Sequence, residues 1–219
     1  MVFLGEVSVC NRSPPASPAT PGVFTLARMP TALVIIDMQM GMRARTSSRN
    51  NPNAEQEIAG LLAVWRVHQA PVVHVRHISR TPGSPFWPGQ VGAEFQPEFA
   101  PLEHEHIVEK NVPDAFIHSG LERWFHVRGI QQLVIVGVST NNSVESTARS
   151  AGNLGFKTWV VSDATFTFDK DDYNHVPRSA EDVHAMALAN LDGEYATIAP
   201  AREIIQLFGH PETPVVPTL

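Results

Sequence analysis

The feature that most constrains the fold is an apolar run that breaks into a polar bend and then a helical pattern, at residues 132–151. Leu133–Val136 has the composition of a strand buried on both faces, and Gly137 ends it. A strand that turns sharply into a helix directs backbone N–H groups and the positive end of the helix dipole at one point. We therefore interpret Ser143, in the first helical turn, as a side chain beside an oxyanion site. The alternative is that the polar residues of the bend only cap the helix.

Similar apolar runs alternate with helical patterns along the rest of the chain. The predicted strands are Thr31–Asp37, Pro71–Ile78, Ile107–Lys110, Leu133–Val136, Lys157–Asp163 and Tyr195–Ile198. The predicted helices are Asn53–Gln69, Ala115–Val127, the segment after Ser143, Ala180–Leu191 and Ala201–Phe208. This alternation predicts an α/β fold in which a six-stranded, mostly parallel sheet is covered by helices on both faces.

The two ends and one internal segment depart from this alternation. Residues 1–30 are rich in Pro, Ser and Ala and predict a flexible leader, while residues 210–219 predict a peripheral tail. Residues 31–209 are then a single domain. The Pro- and Gly-rich segment 79–101 is a long irregular loop that carries Trp87, and a loop of that length in a compact domain usually covers a site.

Charge and cysteine content exclude several classes of partner. The net charge of −6 and the absence of a Lys/Arg-rich run argue against nucleic acid and anionic membrane as partners. No apolar stretch approaches the roughly 20 residues that span a bilayer. The single cysteine, Cys10, lies in the predicted leader, so no intrachain disulfide can form, and we predict a cytoplasmic location.

Three predicted strands bring a chemically active side chain to the same edge of the sheet. Asp37 ends the first strand, Lys110 ends the third, and Ser143 follows the fourth. Ligands of parallel α/β sheets bind outside the carboxyl ends of the strands. A carboxylate beside a lysine is more often a structural ion pair, but the convergence of all three residues at one edge favours a catalytic site.

These residues resemble the isochorismatase-like superfamily of cysteine hydrolases. The resemblance rests on Leu-Val-Ile-Ile-Asp37-Met-Gln39, on Lys110 followed by Ala115-Phe116, and on Gly137 through Arg149. It extends in order over about residues 31–205 and includes Ser179 through His184. It implies a six-stranded, three-layer α/β fold of Rossmann-like order, no cofactor, and a homodimer or homotetramer.

The resemblance also implies roles for individual residues. Asp37 matches the general base of the family and Lys110 matches its charge-stabilising lysine. Val138–Ser139 matches the site of a non-proline cis peptide bond, which would turn the Ser139 N–H towards the site. The N–H groups of Ser139 and Ser143 would then form the oxyanion hole.

Position 143 departs from the family pattern, because the active amidases have a cysteine there. A lysine and a helix N-terminus can ionise a thiol, whereas a serine hydroxyl needs a well-tuned base, usually a histidine held by a third group. We therefore predict that the chain binds its substrate and turns it over slowly or not at all. Either a deliberate substitution or a natural variation explains Ser143, and the otherwise intact motif favours the former.

The remaining candidates concern the substrate pocket and a metal. The candidate pocket residues are Gln39, Trp87, Phe116 and Asn142. Arg76 and Glu145 are each a candidate polar contact of the substrate or, equally, a member of a surface or interface ion pair. Nicotinamidases of this family hold a metal through an Asp-x-His motif, which is missing after the second strand, so no metal site is predicted.

The sequence thus predicts a cofactor-free hydrolase that attacks a C–N bond of a small amide, urea-type or carbamoyl compound, with Asp37, Lys110 and Ser143 as its catalytic residues. Two alternatives remain open. One is cleavage of a vinyl ether by acid catalysis from Asp37, as in isochorismatases, and the other is a catalytically inactive binding protein.

Overall fold

The computed structural model describes residues 29–209. The predicted leader up to residue 28, including Cys10, and the predicted tail 210–219 lie outside the described residues. The strands in chain order are β1 (Thr31–Ile36), β2 (Val72–His77), β3 (His106–Lys110), β4 (Gln132–Val138), β5 (Lys157–Phe166), β6 (Lys170–Asp171), β7 (Pro177–Arg178) and β8 (Thr197–Ala199). The helices are α1 (Met40–Arg43), α2 (Ala54–Val67), α3 (Leu121–Val127), α4 (Glu145–Asn153), α5 (Ala180–Ala189) and α6 (Ala201–Gly209), and a single π turn, Thr140–Val144, precedes α4.

Six of the strands form one sheet in the order β3-β2-β1-β4-β5-β8. Every neighbouring pair in it is parallel, so the predicted three-layer α/β fold with a six-stranded parallel sheet is confirmed. The strand order changes direction between β1 and β4, because the chain moves outward on one side of β1 and then returns to its other side. This switch point is where parallel α/β sheets open a crevice.

Alternating residues of the central strands pack into two separate cores. Leu33 and Ile35 of β1 lie in the core beneath α2 and α6, whereas Val34 and Ile36 lie in the core beneath α3 and α4. Successive side chains of a strand point to opposite faces, which explains why an uninterrupted apolar run is needed here. Because each central strand is buried on both faces, it cannot slide along its neighbours. The position of the strand end, and of the residue that follows it, is therefore fixed.

Several element boundaries differ from the prediction. The helix predicted from Ala115 begins at Leu121, because His118 and Gly120 have positive φ angles of 57° and 69° that a continuous helix cannot accommodate. Strand β5 runs on to Phe166, beyond the predicted end, and a small antiparallel ladder, β6 with β7, was not predicted. Between residues 29 and 209, no helix is long and apolar enough to cross a membrane.

A buried charge network fixes the segment before β3. Glu105 accepts hydrogen bonds from Arg66 of α2 at 2.8 Å, from the Leu102 N–H at 2.8 Å and from His74 of β2 at 2.8 Å. Burial alone would raise the pKa of Glu105, but these hydrogen bonds outweigh it and lower the pKa to about 2. Burial also lowers the pKa of His74. The network ties the incoming chain to both a helix and the sheet.

This network predicts a stability difference that depends on pH. We expect Glu105→Gln to lower the free energy of unfolding by about 1–3 kcal/mol at pH 7, because the hydrogen bonds to a buried charge are weakened. Since the folded carboxyl has the lower pKa, its contribution is complete above the unfolded pKa near 4.5 and declines as the pH falls towards 2. Urea unfolding of both proteins at pH 7 and at pH 3 measures the difference.

The exposed Glu103→Gln, two residues earlier in the same segment, is the matched control and should change little at either pH. A Glu105→Gln difference that is as large at pH 3 as at pH 7 would show that the charge is not its source.

Candidate active site

Three side chains meet at the carboxyl edge of the central strands. Asp37 follows β1, Lys110 ends β3, and Ser143 lies in the π turn after β4, with exposed fractions of 0%, 3% and 6%. The Lys110 Nζ atom donates to Asp37 Oδ2 at 2.7 Å and to Ser143 Oγ at 3.2 Å. The structure thus brings together the residues on which the sequence analysis placed the chemistry.

Strand pairing explains why these segments meet. Strand β1 lies between β2 and β4, and the N–H of Asp37 donates to the Val75 carbonyl at 2.9 Å. Asp37 itself has a φ of +51°, so the backbone turns sharply where the strand ends. Its Oδ1 atom is buried and has no hydrogen-bond partner among the described residues. A buried carboxylate oxygen without a partner is costly, and it can accept a proton or a hydrogen bond from a bound molecule.

The position of Lys110 determines what the site can stabilise. Its ammonium group neutralises Asp37 and at the same time donates to the atom at position 143. Within residues 29–209, the Ser143 hydroxyl oxygen has no second hydrogen-bond partner, so its proton has no acceptor there. This geometry stabilises an anion at position 143, but within residues 29–209 no histidine is hydrogen-bonded to the hydroxyl to act as the base that a serine usually needs.

The backbone that leads to Ser143 forms a turn that is closed by hydrogen bonds. The peptide bond between Val138 and Ser139 is cis. The Ser139 carbonyl accepts from the N–H groups of Asn142 at 3.0 Å and Val144 at 3.3 Å, which closes the turn. Farther out, Thr167 Oγ1 donates to Asn141 Oδ1 at 2.6 Å and joins the turn to the end of β5. Each of these contacts limits the freedom of the backbone beside Ser143.

Gly137 allows β4 to approach β1 at this point. It pairs with Ile36, has a φ of +114°, and a Cβ atom on it would lie 2.1 Å from the Ile36 carbonyl oxygen. No side chain fits such a gap, and the backbone conformation is strongly unfavourable for other residues. The close approach therefore requires glycine one residue before the cis peptide bond.

Sequence reasoning missed a buried contact behind the turn. Thr140 Oγ1 lies 2.9 Å from Nδ1 of His184, a residue of α5 that is buried. Burial lowers the pKa of His184, against the smaller opposing effects of Glu181 and of a hydrogen bond to the Ser162 backbone. A neutral imidazole can accept the Thr140 hydroxyl proton at Nδ1. The spacing of His184 within its helix gave no sign of this partner.

A second histidine lies at the edge of the site. His77 ends β2, pairs in register with Lys110, and is half-buried. Burial lowers its pKa, the charge of Lys110 lowers it further, and Asp37 opposes both. The imidazole is consequently neutral at pH 7.

The four candidate pocket residues lie in different environments. Trp87 is half-buried and shares a cleft with Lys110, and Asn142 is exposed in the π turn. Phe116 stacks on Phe156 at 5.9 Å and contacts Phe125, so its ring belongs to the core beneath α3. Gln39 is fully buried and uses its amide group on the backbone.

Gln39 holds the long loop to the end of the strands. Its Nε2 atom donates to the carbonyls of His77 at 3.0 Å and Ala93 at 2.8 Å, and its Oε1 atom accepts from the His77 N–H at 2.8 Å. All of its hydrogen-bond donors are therefore used by the protein. This arrangement assigns Gln39 to positioning the loop and leaves it no donor for a substrate, contrary to the pocket role that the sequence suggested.

We expect Gln39→Leu to lower the free energy of unfolding by about 2–4 kcal/mol, because the buried Ala93 carbonyl and both backbone groups of the half-buried His77 lose their partner. Thermal and urea unfolding measure this loss. Gln90→Leu, an exposed change in the same loop, is the control and should alter stability by no more than about 0.5 kcal/mol. Equal effects of the two changes would contradict the assigned role.

The other polar candidates form ion pairs. Arg76 binds Glu109, with its Nε atom 3.0 Å from the carboxylate, and Arg149 binds Glu145 at 2.8 Å. The predicted substrate contacts of Arg76 and Glu145 thus have protein partners. In the part of the chain that the structure describes, no group of three His, Cys, Asp or Glu residues is placed to hold a metal ion.

Known proteins are similar to this chain over most of its length. A family model described as the isochorismatase domain matches residues 31–201. The isochorismatase family protein YrdC of Bacillus subtilis is 35% identical over 178 residues, which cover 81% of this chain and 95% of that protein. An isochorismatase-family crystal structure from Chromobacterium violaceum is 44% identical, covers 89% of this chain and 98% of its own, and superposes with a TM-score of 0.79. The ureidoacrylate amidohydrolase RutB of Variovorax paradoxus is 26% identical, over 70% of this chain and 75% of that protein.

Proposed function

Because this chain belongs to the isochorismatase family of hydrolases, we propose that its site hydrolyses a C–N bond of a small amide, urea-type or carbamoyl compound by nucleophilic acyl transfer. Residue 143 is the nucleophile position in this proposal, and Asp37 and Lys110 complete the catalytic set. The serine found at position 143 makes this chain a slow or inactive form of such an enzyme.

The single observation that carries the proposal is the bridging position of Lys110. One ammonium group contacts both a fully buried carboxylate and the atom at position 143. A structural ion pair would need only the first of these contacts. The second contact stabilises negative charge on the nucleophile, which is the requirement of acyl transfer through a thiolate.

In the proposed reaction, the atom at position 143 attacks the carbonyl carbon and its proton passes to Asp37. The Ser139 and Ser143 N–H groups bind the oxyanion that forms, and Lys110 maintains the charge balance. Ammonia or an amine leaves, carrying the proton from Asp37. Asp37 then takes a proton from water, which attacks the acyl intermediate. The bond to residue 143 breaks, the acid is released, and Asp37 returns the proton to residue 143.

The chemistry of a relative supports the substrate class. RutB is by its name an amidohydrolase of ureidoacrylate, a urea-type compound, and its match extends over most of both chains. The proposal requires no cofactor. A cytoplasmic location and assembly as a homodimer or homotetramer remain predictions.

One observation favours a second candidate, vinyl ether hydrolysis of the isochorismatase type. Among residues 29–209, Asp37 Oδ1 is buried without a partner, and such a carboxyl group can donate a proton to a substrate once it is protonated. This reaction needs no thiol at position 143. A catalytically inactive binding protein is the third candidate.

The test follows product formation with the protein and its Ser143→Cys variant. Ammonia is measured with a panel of primary amides, ureas and carbamoyl compounds, and pyruvate is measured with isochorismate. Ammonia from the cysteine variant supports the proposal, and pyruvate from both proteins would replace it with the vinyl ether reaction. Neither product from either protein would leave binding as the function of the site.

A further inference from the structure

A cleft of about 460 Å³ lies beside the catalytic lysine, at the carboxyl ends of β2 and β3. Lys110 and Asn111 line it together with Arg80 and Trp87 of the long loop. Lys110 therefore takes part in both places, since its Nζ atom binds Ser143 and Asp37. A lysine side chain spans on the order of 6 Å, so the cleft lies within the length of a small acyl compound from position 143.

The walls of this cleft are held in place by backbone hydrogen bonds. The Ile78 N–H donates to the Lys110 carbonyl at 2.7 Å, and the Ser79 N–H donates to the Phe86 carbonyl at 2.9 Å. The Trp87 N–H in turn donates to the Ser84 carbonyl at 3.0 Å. Arg80 and Trp87 are thus attached to the end of β3 through short connections, and a ligand would not have to order the whole loop.

The charged residues around the cleft differ in whether they have an ion-pair partner. The ammonium of Lys110 is paired with Asp37, and the carboxylate of Glu109 is paired with Arg76, which also lies 3.6 Å from Glu94. Arg80 is exposed, and it has no hydrogen bond or ion pair with any other residue that the structure describes. Of the charged residues that line the cleft, Arg80 is therefore the one without a partner among residues 29–209.

We propose that this cleft binds the carboxylate of an anionic substrate, with Arg80 as the residue that selects it. This inference rests on the proposed function and specifies its substrate class: small primary amides that carry a carboxylate at the far end. The guanidinium presents two parallel N–H donors to a carboxylate, and the Asn111 amide supplies another polar group. The Trp87 ring packs against the carbon chain between the two ends.

The experiment measures binding to the protein with Ser143, so that slow turnover does not consume the ligand. The probes are succinamate, glutaramate and adipamate, each compared by calorimetry with the neutral amide of the same chain length, namely butyramide, pentanamide and hexanamide. We expect at least one carboxylate to bind about tenfold more tightly than its neutral partner. Arg80→Gln should remove that tenfold preference and leave the affinity for the neutral amide unchanged.

Arg123→Gln, an exposed arginine change on α3 away from the cleft, is the matched control and should leave both affinities unchanged. Circular dichroism verifies that the variants are folded. The proposal is overturned if no carboxylate binds better than its neutral partner, if nothing binds, or if Arg80→Gln weakens both members of a pair equally.

Ammonia release by the Ser143→Cys variant separates this proposal from the proposed function. Carboxylate-selective binding that depends on Arg80, together with a silent cysteine variant, would retain the subsite and reject the amidase. An active cysteine variant that is indifferent to the carboxylate would reject the subsite alone.

Discussion

Replacing Ser143 with cysteine should raise the rate of ammonia release by roughly a thousandfold, which corresponds to about 4 kcal/mol in activation free energy. A thiol loses its proton far more readily than a hydroxyl, and Lys110 already donates to the atom at position 143. The same change leaves the shape of the site almost unaltered, because sulfur replaces oxygen in a position that is 6% exposed. The rate of the cysteine variant relative to that of the serine protein, on the best amide of the panel, is the measurement.

Two controls connect the gain to the site. Ser146→Cys places a thiol one helical turn farther along and should produce no activity, since Ser146 has no contact with Lys110. Adding Asp37→Asn to the Ser143→Cys variant should remove most of the gain, because the proposed proton acceptor is lost. Equal rates with serine and cysteine would mean that the hydroxyl, or Asp37 without a nucleophile, carries the reaction.

The change Gly137→Ala should destabilise the fold by at least about 4 kcal/mol, enough to prevent folding of a marginally stable protein. The new methyl group would lie 2.1 Å from the Ile36 carbonyl oxygen and 2.8 Å from the Ile36 nitrogen, both of them backbone atoms that no rotamer change can move. The φ of +114° adds backbone strain to that overlap. Soluble yield and the midpoint of thermal unfolding measure the effect.

Gly60→Ala is the matched control, because its new methyl group would meet nothing within 4 Å. It lies in the middle of α2, where alanine should stabilise the helix by up to about 1 kcal/mol. A Gly137→Ala protein with an unchanged midpoint would mean that the end of β4 can move away from β1 at little cost.

The sequence predicted the layers and the meeting of Asp37, Lys110 and Ser143 because both depend on local patterns. Uninterrupted apolar runs mark strands that are buried on both faces, and the residues after such strands must reach the same edge, as Asp37 and Lys110 do. The predicted start of α3 was wrong, because positive φ angles at His118 and Gly120 prevent a helix there although the apolar spacing of the sequence continues. Local patterns therefore locate elements better than they locate their ends.

Contacts between distant segments could not be predicted in this way. Gln39 and Ala93 are separated by 54 positions, and Thr140 and His184 by 44. No periodicity connects such pairs, and a buried glutamine or histidine has the same appearance in sequence whether it contacts a substrate or a backbone carbonyl. The opposite roles of Gln39 and Asp37, two residues apart, illustrate this.

The attachment of the long loop by Gln39 also bears on how members of such a family acquire new substrates. The loop is fastened at its start through His77 and near its end through Ala93, and both attachments rely on backbone atoms. The exposed side chains between these points, such as Arg80 and Gln90, take no part in either attachment, and they can be exchanged by mutation while Asp37 and Lys110 keep their places. Because the attachment of the loop does not depend on these exposed side chains, residues 80–90 are a natural target for directed evolution. Libraries at these positions would vary the contacts to the substrate and leave Asp37, Lys110 and Ser143 unchanged.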